Sequence, residues 1–239
     1  MAVYVMSDVH GRFERFAKMI KTLNLQTDDK VYILGDIIDR GRDGIEILLY
    51  IMQDSRFVLL LGNHEKMMLD FYHEKAKEIS DFYYEDIWFV NGSLPTKVSF
   101  ESLSTNKQSE ILNYLNMCPV MINDLKINNK NYCLVHASPF KNAKRKTYYL
   151  NSKEIDDIKL HTILWERINK NTCLDIKETL LIGHTITNYY HDVKPNAIYY
   201  NANTIEDANF IAIDCGCARN DVHARLACIR LDVLKVFYV

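Results

Sequence analysis

The chain has 239 residues, a formal net charge of −2 and 48% hydrophobic residues, enough apolar material for a substantial core. Near-neutrality argues against an electrostatic nucleic-acid binder, which needs a basic stripe. No apolar run approaches the length of a membrane span and the N-terminus reads as a strand rather than a secretory leader, so a cytoplasmic protein is expected.

In chain order, the apolar runs Val3–Met6, Val31–Leu34 and Phe57–Leu61 have strand character. They alternate with helix-like segments over Arg12–Leu23 and Gly44–Met52. Phe13, Phe16, Ala17, Ile20 and Leu23 recur at three- and four-residue spacing, as one buried helical face requires. Strand, helix, strand, helix, strand implies right-handed crossovers and a partly parallel sheet in an α/β fold.

The middle third changes character. Lys66–Phe89, rich in Tyr, Phe, Glu and Lys, reads as helical, and Asn91-Gly92 as a turn. Thr105-Asn106-Lys107-Gln108 predicts a capping box for a helix through Leu115, which Pro119 should stop. The last third returns to strands: Tyr132–Val135 and Leu180–Ile182 each run to a histidine, and Phe210–Ile213 runs to Asp214. Ala224–Arg230 and Val233–Val239 read as a closing antiparallel pair. No linker or repeat interrupts the chain, so one domain over 1–239 is the simplest organisation.

Six cysteines, Cys118, Cys133, Cys173, Cys215, Cys217 and Cys228, form no Cys-x-x-Cys pair and read as buried thiols of a reducing compartment. Cys215 and Cys217 alternate along an extended segment and should face opposite sides. The basic run Lys141–Lys146 reads as a solvated loop.

The chemistry gathers at strand ends, where α/β proteins build their sites. Ser-Asp-Val-His-Gly (7–11), Gly-Asp-Ile-Ile-Asp-Arg-Gly (35–41) and Gly-Asn-His-Glu (62–65) each follow one of the first three strands. His136 in Val-His-Ala-Ser and His184 in Gly-His-Thr follow two later ones. Taken singly, each is more usually a hydrogen-bonded structural histidine or a turn or helix-capping aspartate. Five such loops in one chain instead point to oxygen and imidazole donors for hard or borderline divalent metals, and so to an enzyme.

In this order, these motifs resemble the phosphoprotein phosphatase family of binuclear metallophosphoesterases, and most closely its smaller bacterial and phage branch. The likeness spans nearly the whole chain. It includes Trp88-Phe89-Val90-Asn91-Gly92 with Thr96, Leu164-Trp165-Glu166-Arg167, and the turn Asp214-Cys215-Gly216-Cys217. It implies a calcineurin-like metallophosphoesterase fold: a central β-sandwich of mixed sheets flanked by helices.

It also implies roles. Asp8, His10 and Asp36 would hold one metal, and Asp36, Asn63, His136 and His184 a second, with Asp36 bridging. The resemblance implies two divalent ions, manganese foremost, with Fe, Zn or Co also compatible with the ligands. His64 would be the general acid, its imidazole set and its pKa raised by Asp39. Arg40 and Arg167 would clamp the phosphoryl oxygens. A plain ion-pair partner of Arg40 is the competing reading of Asp39, and Arg167 could equally be a solvated helix residue.

The implied reaction is hydrolysis of phosphomonoesters, foremost phosphoserine and phosphothreonine in a protein or peptide, by in-line attack of a water that both cations activate. Small phosphoesters are further candidate substrates. One rival is hydrolysis of diadenosine polyphosphates, for which Tyr83, Tyr84, Tyr148 and Tyr149 could supply an adenine slot. A second is a metal-stabilised binding protein without turnover, against which the complete set of ligand positions speaks. Ser7 and Ser138 depart from the family, which often has glycine at these places.

Overall fold

Three strands, β1 (Val3–Met6), β2 (Lys30–Ile33) and β3 (Phe57–Leu59), run parallel and are joined through helices α1 (Phe13–Leu23) and α2 (Gly44–Met52). The structure is a computed structural model that describes residues 1–76, 87–139, 150–151, 156–170, 177–190 and 196–239. The run Lys141–Lys146, Cys173 and the tyrosines at 83, 84, 148 and 149 lie outside these residues, as does part of the segment expected to be helical over Lys66–Phe89.

Within that segment, α3 covers Asn63–Ala76 and residues 87–90 are helical. Then come α4 (Leu94–Glu101), which the sequence did not suggest, and α5 (Thr105–Met117). The cap of α5 is Ser104, whose hydroxyl accepts from Lys107 N, so the expected capping box sits one residue too late. Pro119 does end helical structure, but it also opens a nine-residue strand, β4 (Pro119–Ile127), that its mixed polarity concealed.

The remaining described elements are β5 (Lys130–Val135), β6 (Leu150–Asn151), α6 (Asp157–Trp165), β7 (Thr179–Ile182), β8 (Tyr199–Tyr200), β9 (Phe210–Ala212), β10 (Ala227–Arg230) and β11 (Lys235–Tyr238). They complete two mixed sheets, ordered β11-β10-β1-β2-β3 and β6-β4-β5-β7-β9-β8. β5, β7 and β9 are parallel to one another, while β10 and β11 pair antiparallel as expected.

Side-chain alternation explains why the two sheets stack. Val3, Val5, Leu34, Leu134, Leu181, Ile211 and Ile229 belong to one buried cluster shared by both sheets. Their neighbours Tyr4, Met6, Ile33, Cys133, Val135, Leu180 and Ile182 lie in a second cluster, with Phe16 and Met19 of α1 and Ile47 and Leu48 of α2. The result is a β-sandwich with helices on its outer faces. Cys215 falls in the first cluster and Cys217 in the second, so the alternation read from sequence holds.

Among the described residues, no helix is long and apolar enough to cross a membrane. The five described cysteines are free and buried. Burial pushes Cys133, Cys215 and Cys217 up to about 12, and raises Cys118 and Cys228 as well. Thiolate is the reactive form. Disulfide-exchange labelling of the native protein at pH 8, mapped by peptide mass spectrometry, should therefore leave all five unmodified until denaturant is added. Rapid native labelling of any one would contradict this packing.

Candidate metal centre

The parallel strands present their C-terminal ends to a common place. Asp8 and His10 follow β1, Gly35 and Asp36 follow β2, His136 follows β5 and His184 follows β7. Backbone bonds tie these loops directly: His10 N to Asp36 O (2.9 Å), Gly11 N to Ile37 O (2.7 Å) and Gly183 N to His136 O (2.9 Å). Asp8, His10, Asp36, Asp39, Arg40 and His184 all have positive φ, between 48° and 68°. Non-glycine residues adopt this region at a cost of about 1–3 kcal/mol each, and they concentrate where a side chain must be aimed.

Asp36 stands at the centre. Its Oδ1 lies 3.4 Å from His136 Nε2, and its Oδ2 lies 3.6 Å from His10 Nε2. Each oxygen thus serves a different group: His10, Asp36 and His64 in one, Asp36, His136 and His184 in the other. Asp8 joins the first group, with Oδ1 3.9 Å from His10 Nε2. Asn63 joins the second, its Oδ1 2.8 Å from His136 Nε2 and 3.1 Å from His184 Nδ1.

The proton positions make these atoms fit cations. His10 Nδ1 donates to the carbonyl of Ile38 (3.0 Å) and His136 Nδ1 to that of Leu34 (2.5 Å), which leaves a lone pair on each Nε2. His136 Nε2 therefore faces two oxygens, and His10 Nε2 faces two carboxyl groups, with no imidazole proton between them. Adjacent donors on one cation stand about 3 Å apart for bonds near 2.1 Å, close to these separations.

Burial enforces the same charge pattern. It pushes the Asp8 and Asp36 carboxyls well above the usual carboxylate range, Asp214 adding to the first and Asp8 to the second. Asp214 itself is pushed up to about 6 by burial. Burial also holds His10 and His136 well below the ordinary histidine value and His184 at about 3, so the imidazoles are neutral. Neutral imidazoles beside crowded carboxylates make a pocket that positive charge would stabilise.

His64 differs from its neighbours because the hydrogen-bond partners of both ring nitrogens lie outside the two donor sets. Its Nδ1 donates to Asp39 Oδ2 (2.7 Å) and its Nε2 accepts from Arg40 Nη2 (3.0 Å). Contrary to the sequence expectation, its pKa lies well below the ordinary value, through burial and then the Arg40 charge. Burial also pushes Asp39 up to about 7, despite hydrogen bonding from Thr96 and Trp88, which weakens the carboxylate's pull on the histidine. Arg40 and Arg167 are exposed; Arg40 reaches His64, and the Arg167 charge adds to burial in lowering His184.

Two supporting side chains escaped the sequence reading. Glu65, fully buried, accepts from the backbone N–H groups of Asp36 (2.8 Å), Ile37 (2.8 Å), Ile38 (3.3 Å) and Gly62 (3.0 Å). It thereby holds the loop that aims Asp36; its place in Gly-Asn-His-Glu was the available signal. Ser7 donates to Asp8 Oδ2, which also accepts from His184 N (2.9 Å), so Oδ1 is left to face His10. A Cβ on Gly183 would overlap both the Ser7 hydroxyl and Asp8 Oδ2, which explains the glycine there. Ser138 is not among the positive-φ residues, so its departure from glycine leaves His136 unstrained.

The comparisons agree with this architecture. The family model for calcineurin-like phosphoesterases matches residues 1–211. Serine/threonine-protein phosphatase 2 of Salmonella typhimurium is 27% identical over 195 residues, 78% of this chain and 81% of the relative. The symmetrical bis(5'-nucleosyl)-tetraphosphatase of Wigglesworthia glossinidia brevipalpis is 35% identical over 83 residues, 34% of this chain and 30% of the relative. Among solved structures, a protein serine/threonine phosphatase from Saccharomyces cerevisiae superposes with a TM-score of 0.62 at 13% identity, covering 100% of this chain and 79% of that one. With paired sheets, strand-end donors and a family match over most of its length, the chain belongs to the calcineurin-like phosphoesterases.

Proposed function

We propose that the chain hydrolyses phosphomonoesters and that its substrates are phosphoserine and phosphothreonine in proteins. The observation that carries the reading is the division of Asp36 between two sets of neutral, lone-pair donors. Similarity to a protein phosphatase over most of both chains supports the substrate class. Asp8, His10 and Asp36 would hold one cation, and Asp36, Asn63, His136 and His184 the other. Two divalent ions, manganese in this reading, would supply Lewis-acid charge and an activated water when bound.

The chain's own residues then bind and protonate. Arg40 and Arg167 take the phosphoryl oxygens, which the planar guanidinium matches with two parallel N–H groups. Before substrate arrives, Arg40 Nη2 occupies His64 Nε2. A phosphate draws those N–H groups to itself and frees Nε2, which then takes a proton from solvent and passes it to the leaving oxygen. Asp39 holds the opposite nitrogen and so fixes the direction of transfer.

Hydrolysis of dinucleoside polyphosphates is the second reading, supported by the segment shared with the Wigglesworthia enzyme. Both substrates would use the same metals and arginines. They differ in what surrounds the phosphate.

Replacing Asp36 with Asn removes a buried carboxylate charge crowded by Asp8 and Glu65. The metal-free variant should melt above the metal-free wild type, while the Tm rise that wild type shows with Mn²⁺ should vanish. An undiminished Mn²⁺-induced rise would remove Asp36 from the metal site. His64→Asn should lower kcat on p-nitrophenyl phosphate about 10²–10⁴-fold with Mn²⁺ binding retained; unchanged kcat would end its role as acid. Side-by-side kcat/KM on a phosphoserine peptide and on diadenosine tetraphosphate separates the two readings, the peptide being the expected better substrate. A strong preference for the dinucleotide would overturn the protein-phosphatase assignment.

A further inference from the structure

We propose that Trp88 is a positioning residue for the Asp39–His64 pair, its indole N–H fixing the carboxylate that aligns the imidazole. This rests on the reading of His64 as general acid. Trp88 is fully buried, and its ring packs beside Phe71 at 5.2 Å and Tyr72 at 5.9 Å, measured between centroids. Packing alone would accept any aromatic ring of similar size. Its Nε1 nevertheless donates to Asp39 Oδ2 at 2.9 Å, the same oxygen that takes the His64 N–H at 2.7 Å. One oxygen therefore receives two donors, from α3 and from the helical residues 87–90.

The backbone of Asp39 is held separately, its N–H donating to Thr96 Oγ1 of α4 at 2.8 Å. Asp39 needs both restraints because its φ is 68°, a conformation that competes with unstrained alternatives. Thr96 keeps the main chain in place, and Trp88 keeps the carboxylate from turning. The imidazole follows the carboxylate, so the direction of His64 Nε2 depends on an indole outside the metal cluster. Second partners of this kind commonly decide whether a catalytic group sits in productive geometry.

The test compares Mn²⁺-loaded wild type, Trp88→Phe and His64→Asn on phenyl phosphate and 2,4-dinitrophenyl phosphate. Phenolate leaves poorly without a proton, whereas dinitrophenolate needs none. His64→Asn should lose far more on phenyl phosphate than on the activated ester. Trp88→Phe should follow in the same sense, with kcat on phenyl phosphate falling about tenfold at unchanged KM, and kcat on the activated ester within about twofold. If Trp88→Phe slows both esters equally, or neither, the indole is packing only and the proposal fails while His64 keeps its role. If His64→Asn itself shows no leaving-group bias, the general-acid reading falls first.

A second measurement does not require the Trp88 variant to fold. Only two tryptophans are present, so their indole N–H resonances are readily assigned. The Trp88 proton should be shifted downfield and protected from exchange, and Asp39→Asn should move it. A resonance indifferent to Asp39→Asn overturns the proposal.

Discussion

A carboxylate held between the lone pairs of buried histidines governs this molecule. Asp36 is 2% exposed, and its oxygens look toward histidine nitrogens whose own protons are turned away to backbone carbonyls. Such an arrangement is unfavourable without positive charge and favourable with it. The fold keeps it in place by distributing the burden. Two stacked sheets fix the strand ends, short backbone bridges lock one loop to the next, and Glu65 gathers the N–H groups around Asp36.

The same economy of space explains the unusual backbone. A strand leaving a sheet in ordinary conformation points alternate side chains to its two faces, and the donors here must instead converge. Left-handed residues after β1, β2 and β7 turn Asp8, His10, Asp36 and His184 inward. Close backbone approach then excludes side chains at Gly62, where a Cβ would overlap Asp36 Oδ1, and at Gly183. The strain and the glycines are two expressions of one demand, that several chain segments share a volume the size of a few ligand atoms.

Much of this was legible in the residue order, though unevenly. Val3–Met6 and Gly44–Met52 were read at their observed limits because clean apolar runs ended at glycine and polar punctuation. β4 was missed because Asn123, Asp124 and Lys126 interrupt it, and a register shift between Ile122 and Leu125 spoils simple alternation. α4 was missed because Pro95 and Ser99 carry weak helical signals. At the site, strand-end loops drew attention to Asp8, His10, Asp36, Asn63, His136 and His184, and the family resemblance supplied their expected roles. The support from Ser7 and the Asp39–Trp88 bond were not legible, since a contact to a neighbouring carboxylate and one to a distant indole leave no spacing pattern, and only the motif position of Glu65 hinted at its role. The lowered pKa of His64 was misjudged for a similar reason: burial and the Arg40 charge are three-dimensional facts.

β1, which carries Asp8 and His10, is hydrogen-bonded on one side to β2 and on the other to β10, near the opposite end of the chain. A ribosome must therefore deliver some two hundred residues more before that second edge is covered. Until then the nascent strand offers a row of unpaired amides to any passing strand, a standing invitation to mispairing. Asp8, His10, Asp36, Asn63, His136 and His184 all precede β10, so a chain halted before it would hold every candidate donor and still leave this edge uncovered.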